Sequence, residues 1–340
     1  MRTFAVATLA LALAAAIAVP PPAKADDDGG IRLVTQNMYV GSSFSALSTA
    51  QTQQQLFAAV ATIYNNILAS KPAERATAMA REIARHRPDL VALQVAAMLR
   101  TGNGGPATTV RSDLLQSLLD ELAGLGQRYS AVAILPGLDA QAPSALGFNV
   151  RVSNQDAILV RSDLLGGAIK VSNLQIEQFG IKLSVPTPLG PFTDPRGWTA
   201  IDVKMRGHRF RFVTTHLDSS VPAIRVAQAK ELLLTAADTG LDPSFPGYQA
   251  MINAGFTDAW QSKRAPDPGF TCCQAENLLN PTSLLDHRID LVLFRGGFGV
   301  ADISLIGNQQ ADGTSSGLWP SDHAGIAATL RLPSRQANNQ

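Results

Sequence analysis

Cysteine is almost absent from this chain, and the two that occur, Cys272 and Cys273, are adjacent. No Cys-x-x-Cys spacing exists, which excludes a zinc site of that kind. Such a pair either closes on itself or stays as two thiols, and a structural role, pinning a turn, is the expectation. An excess of charge of one sign is also lacking: 28 Lys and Arg stand against 27 Asp and Glu. A near-neutral chain has no strong nucleic-acid footprint, because that affinity comes largely from neutralising phosphates. No internal repeat and no linker divides the sequence, so one domain is expected. Long apolar runs are missing except at the start, where Phe4 to Val19 is broken only by Thr8. That run is short for a membrane span, and it leads through Pro20–Pro22 to the small-x-small site Ala23-Lys24-Ala25. Residues 1–25 read as a secretory leader, 26–335 as the domain and 336–340 as a frayed tail. Loss of the leader removes Arg2 and Lys24, leaving 26 basic against 27 acidic residues. The expected product is secreted or periplasmic, close to −1 in charge, with no membrane span.

What is present is ample core material, at 46% hydrophobic residues. Ile31 to Thr35 alternates and is rich in β-formers, so it reads as the first strand. Residues 44–68 carry helical spacing. Pro72 opens a further helix, burying Ala76, Met79, Ile83 and Ala84 and ending at Arg87-Pro88. Asp89 to Leu93 is a short buried strand, and Leu114 to Leu125 an amphipathic helix closed by glycines. Strands then dominate: 129–134, 156–160, 169–174, 198–204 and 210–216. Helices are expected over 222–234 and 248–254, and the last two strands over 289–294 and 324–330. This order predicts an α/β fold with two sheets packed face to face and helices outside.

Polar groups recur where these strands end. Asn37 follows the first strand, and His216 closes Phe212-Val213-Thr214-Thr215. A strand-end Asn can hold a metal-bound water or a phosphate oxygen, or simply tolerate an awkward turn. A strand-end His can donate to a phosphate or shuttle a proton, or be hydrogen-bonded for structure. Asp156 begins Ala157 to Val160. Asp290 opens a late strand beside Arg288 and can orient a histidine, while Arg288 can cap a loop by ion pairing. Ser321-Asp322-His323 precedes the last strand and places a carboxylate beside an imidazole. Strand ends of a sandwich converge on one rim, so these groups are expected to build one site.

The combination resembles the endonuclease/exonuclease/phosphatase family, metal-dependent phosphodiesterases that include DNase I-like nucleases and sphingomyelinases. The resemblance runs from Ile31 to about Leu330. It rests on Thr35-Gln36-Asn37, on Arg87 through Gln94, on Thr215-His216-Leu217, on Gly255-Phe256-Thr257-Asp258-Ala259, and on Arg288-Ile289-Asp290 with Ser321-Asp322-His323. It implies a DNase I-like sandwich and a divalent metal, Mg or Mn, near Asn37 and Asp322. It also implies that His216 stabilises the phosphate, that Asp322 and His323 complete an acid/base pair, and that His323 acts on the attacking water. Asn37, Asp156 and Arg288 would face the substrate.

Two departures stand out. The family's metal-binding Glu should follow Gln94, where this chain has Val95, which offers no oxygen to a hard cation. The family's Gly-Asp-x-Asn loop and the strand before it are missing between Leu234 and Tyr248, where only Asp238 and Asp242 offer carboxylates. The sequence therefore supports an exported phosphodiesterase-fold hydrolase of impaired activity. The alternative is a catalytically inactive descendant that binds a phospho-ligand or a partner. The phosphoester itself, whether nucleic acid, phospholipid head group or small molecule, is not specified by these motifs.

Overall fold

The computed structural model describes residues 30–235 and 246–333. The order begins β1 (Gly30–Asn37), α1 (Ser45–Thr49), α2 (Gln53–Ala69), α3 (Pro72–His86) and β2 (Leu90–Gln94). It continues β3 (Met98–Gly102), β4 (Thr109–Asp113), α4 (Leu114–Gly124), β5 (Tyr129–Pro143) and β6 (Asn149–Arg161). Next come β7 (Ile169–Gln178), β8 (Leu183–Val185), β9 (Phe192–Asp194), β10 (Gly197–Met205) and β11 (His208–Thr215). The chain closes with α5 (Pro222–Thr235), α6 (Pro246–Asn253), β12 (Thr257–Asp258), α7 (Ala259–Arg264), β13 (Leu293–Phe294), β14 (Gly299–Ile306) and β15 (Gly325–Arg331).

Eight strands form the larger sheet, in the order β14-β15-β1-β2-β6-β3-β4, with β5 also on β6. Only β1 and β2 run parallel in it; their connection is α1 to α3. The second sheet is β11-β10-β7, antiparallel throughout. Strand alternation sorts the side chains into layers. Val34, Val91, Leu93 and Leu159 pack under α2, α3 and α4, while Ile31, Leu33, Leu90, Ile158 and Val160 face Ile201, Val203 and Phe212 of the second sheet. Trp198, Ala200 and Val213 turn outward onto Ala229, Leu232 and Met251 of α5 and α6. The result is helix, sheet, sheet, helix, the α/β sandwich expected from the order of elements. Each fully buried Leu, Ile or Phe contributes roughly 1.5–3 kcal/mol relative to exposure, so the three apolar layers fix the sheet faces firmly.

Several boundaries differ from the sequence reading. The helical stretch 44–68 breaks at Ala50 because Thr52 and Gln55 form a capping box that starts α2 afresh. The β3–β4 hairpin was not anticipated, and β14 lies between the two strands expected to be last. Of 289–294 only Leu293 and Phe294 enter a ladder, with β12. Ahead of them, Thr271 Oγ1 accepts from both Ile289 N and Asp290 N, replacing a strand partner. Among the described residues β11 has no neighbour on its outer edge, in keeping with a missing core strand. Asp238 and Asp242 lie outside the described residues.

Candidate active site at the rim of the sandwich

The rim is built where β1, β2, β11 and β15 end. Arg75 on α3, fully buried, donates to the carbonyls of Met38 (2.9 Å), Tyr39 (2.9 Å) and Pro320 (3.3 Å). It thereby ties the turn after β1 to the turn before β15. Ser321 Oγ completes the tie by donating to Asn37 O at 2.7 Å, while His323 N donates to Ser321 Oγ. Asn37 is buried, and its Oδ1 accepts from Tyr39 N at 3.0 Å, which spends that oxygen on the turn.

His323 is held from both sides. Its Nδ1 donates to Asp290 Oδ2 at 2.8 Å, and its Nε2 lies 3.9 Å from Asp322 Oδ1, beyond hydrogen-bond reach. Burial opposes a charge on this ring, but Asp290 and Asp322 outweigh it and raise its pKa to about 9. His216, half-buried at the end of β11, is shifted the other way. Burial, the nearby Arg196 and the charge on His323 keep it well below the ordinary histidine value. At neutral pH the rim therefore presents one imidazolium and one neutral imidazole, the division of labour that acid–base chemistry needs. Asp322 is pushed up by burial, against the pull of His323 and Arg75.

Asp156 sits deeper. Its Oδ1 accepts from Val95 N at 3.1 Å, and burial lifts it to about 6. Val95 has a φ of 56°, a left-handed conformation costly for a β-branched residue. Its side chain joins the apolar cluster under the helices, beside Ala96 and Ala97. The structure therefore does not bring Val95 into the cleft. Arg288 is also away from it: NH1 contacts Asp258 Oδ2 at 2.8 Å in a buried pair, and Tyr248 donates to the same oxygen. A cavity is lined together by Asn37, His216, Asp290 and His323. Asp322 does not line it; its Oδ1 lies 3.9 Å from His323 Nε2.

Arg196 escaped the sequence reading. It pairs with Asp194 at 2.7 Å and lies within electrostatic range of both Asp156 and His216. A signal existed, since Arg196 directly precedes β10, whose first residues reach the same rim. The adjacent cysteines are bonded to each other, and Cys272 bridges the backbones of His287 and His323. They pin the turn that carries the site.

The residues present do not suit a hard divalent cation. Among the described residues, the only three His, Cys, Asp or Glu groups close enough to share an ion are Cys272, Cys273 and His323, within 4.8 Å. Two of these are consumed by the disulfide. Asn37 Oδ1 and Asp156 Oδ1 each accept a backbone N–H, and Val95 supplies no oxygen. Among the described residues no cluster of three carboxylates, of the kind a Mg²⁺ site draws on, is assembled.

No protein-family model matches the chain, and no curated protein matches it at significance. Solved structures do. A humanized D. rerio TDP2 carrying 14 mutations shares 16% identity over 89% of this chain and 100% of its own, at a TM-score of 0.53. An endonuclease/exonuclease/phosphatase family protein from Leptotrichia buccalis shares 14% over 89% and 100%, at 0.52. One from Beutenbergia cavernae shares 18% over 89% of this chain and 72% of its own, at 0.50. Identity this low speaks for the path of the backbone alone, and on that ground the chain has the DNase I-like fold of the endonuclease/exonuclease/phosphatase proteins.

Proposed function

We propose that this chain is an exported phosphoester-binding protein of the phosphodiesterase fold that hydrolyses its ligand slowly, without a divalent metal. The observation that carries the reading is the pair of oppositely shifted histidines, His216 and His323, on one cleft. The imidazolium of His323, oriented by Asp290, has an Nε2–H available for a phosphate oxygen and can stabilise charge as water adds. The neutral His216 can accept the proton of that water while the ester P–O bond breaks and the leaving alkoxide takes the proton of His323. Arg196 adds positive potential without being spent on the ligand.

Such a site lacks the Lewis acid worth several kcal/mol in metal-assisted hydrolysis. Turnover several orders of magnitude below that of a metal-loaded phosphodiesterase is expected, and phosphoester binding is what the site does well. Export rests on the apolar run and the Ala23-Lys24-Ala25 site, and N-terminal sequencing of protein recovered outside the cell tests it. The catalytic reading is tested with bis(p-nitrophenyl) phosphate. Slow turnover that survives excess EDTA and is lost in both His216→Ala and His323→Ala supports it. Fast turnover that EDTA abolishes overturns it.

A further inference from the structure

The segment 271–274 is tied by its backbone to the chain on both sides of it. Thr271 N and Cys272 N donate to His287 O at 2.7 and 2.9 Å, and Asp286 N and His287 N donate to Cys272 O at 2.8 and 3.0 Å. On the other side Gln274 N donates to Asp322 O and Ala324 N to Thr271 O, both at 2.8 Å. Thr271 Oγ1 holds Ile289 N and Asp290 N as well. These bonds set the Cys272–Cys273 disulfide against His323, and none of them runs through the sulfurs. The bond between the sulfurs is therefore not what keeps the three side chains together.

The two sulfurs and one ring nitrogen of His323 lie within 4.8 Å of one another. Cys272 is buried and lines the cleft with His323, whereas Cys273 is exposed. Asp290 already occupies Nδ1 of His323, which leaves Nε2 as the nitrogen able to ligate. A carboxylate on the other ring nitrogen is the support that metal-bound imidazoles ordinarily have, and it fixes the orientation of the ring. Two thiolates and an imidazole are soft donors, suited to a thiophilic ion and not to Mg²⁺. Tetrahedral Zn²⁺ sets such donors roughly 3.6–3.8 Å apart, so the three groups already stand near ligating distance of a common point.

We propose that reduction of Cys272–Cys273 opens a site for one thiophilic cation, Zn²⁺, on Cys272, Cys273 and His323. The exposed Cys273 Sγ is the sulfur that a dithiol reductant can attack. The S–S bond breaks, the reductant closes its own disulfide, and its two electrons and two protons pass to the cysteines. Zn²⁺ then displaces one proton from each thiol and the Nε2 proton of the His323 imidazolium. Three protein ligands leave the fourth position of the ion open. In the oxidised chain neither sulfur is a thiolate, and the site does not exist. His323 is shared with the rim, so the redox state of the cysteine pair decides which use the ring has. That consequence rests on the phosphoester reading; the cation site itself does not.

The test is Zn²⁺ titration of the full chain against a chromophoric chelator. The chain is first treated with dithiothreitol, which is then removed anaerobically, and the untreated chain is the control. The expected result is one Zn²⁺ held by each reduced chain and none held by the oxidised chain. Co²⁺ in its place should show the sulfur-to-cobalt charge-transfer absorption of a thiolate site. Asp290→Asn, acting through the ring it orients, should weaken Zn²⁺ binding by roughly 10–100-fold, and His323→Ala should weaken it further. A reduced chain that binds no Zn²⁺ overturns the proposal. Equal binding by the oxidised and reduced chains puts the ion elsewhere and overturns it too. Binding by the reduced chain that His323→Ala leaves unchanged overturns the three-ligand site in favour of the thiols alone. The comparison of the two redox states of the unmodified chain decides the matter even if a variant fails to fold. Phosphate binding is read on the oxidised chain, so a failure of the rim reading is seen separately from a failure of the cation site.

Discussion

Asp290→Asn is the sharpest probe of the histidine pair. In the folded protein His323 rises from the ordinary 6.5 to about 9 although burial alone would lower it. Asp290 supplies both a charge and the 2.8 Å hydrogen bond, while Asp322 acts only through its charge at 3.9 Å. Removing the Asp290 charge should bring the His323 pKa down by roughly 1–2 units, about 1.4 kcal/mol for each unit. The sign for stability follows from linkage. A histidine whose pKa is raised on folding stabilises fully below about 6.5 and loses that contribution as pH climbs through about 9. The wild type should therefore lose stability across that window, and Asp290→Asn should lose less of it because it has less to lose. Histidine C–H resonances followed by NMR give the pKa, and denaturant melts at pH 6 and pH 9.5 give the linkage. An unchanged His323 titration in Asp290→Asn would show that the carboxylate does not set the charge of this ring.

Other outcomes follow from the same geometry. Val95→Glu places an unpaired carboxylate in an apolar setting outside the cleft and should cost about 1–3 kcal/mol; Mg²⁺ or Mn²⁺ should raise the melting temperature of neither this variant nor the unmodified chain, and a large metal shift in either would refute this placement of residue 95. Arg75→Met leaves three buried carbonyls without their donor and should cost about 3 kcal/mol or more in urea denaturation, and Arg75→Lys should not rescue it, because an ammonium cannot span the same fork. Arg288→Met strands Asp258 and should destabilise by about 3–5 kcal/mol, with phosphate affinity unchanged in whatever fraction stays folded; loss of phosphate affinity would return Arg288 to the cleft.

Much of this molecule could be read before folding. Strands β1, β2, β11 and β15 were legible because their inner faces are apolar and their ends polar, a period-2 pattern that survives in the sequence. For the same reason Asn37, His216, Asp290 and His323 could be placed on one rim. Arg288 faces the substrate only by the resemblance; the structure has its other reading, an ion pair, with Asp258 as the partner. At 289–290 Thr271 replaces the ladder, so the chain turns Arg288 inward onto Asp258. Val95 is placed at the site by the resemblance alone; alternation from Gln94 already sends its side chain to the helix-facing layer, with Val91 and Leu93. Arg75 went unnoticed since an arginine within a helical pattern ordinarily faces water. The β3–β4 hairpin was invisible because its strands are short, largely polar and joined through Gly104-Gly105, with no apolar alternation to mark them.

The central claim is that an oxyanion binds between His216 and His323 without a metal. A crystal structure of the chain soaked in tungstate, with the anomalous signal of tungsten marking the anion, tests it directly. The account predicts one strong peak in hydrogen-bond reach of both rings, with His323 still on Asp290 and no cation beside it. A peak elsewhere in the domain, or one bridged to the protein through a divalent cation, would contradict it.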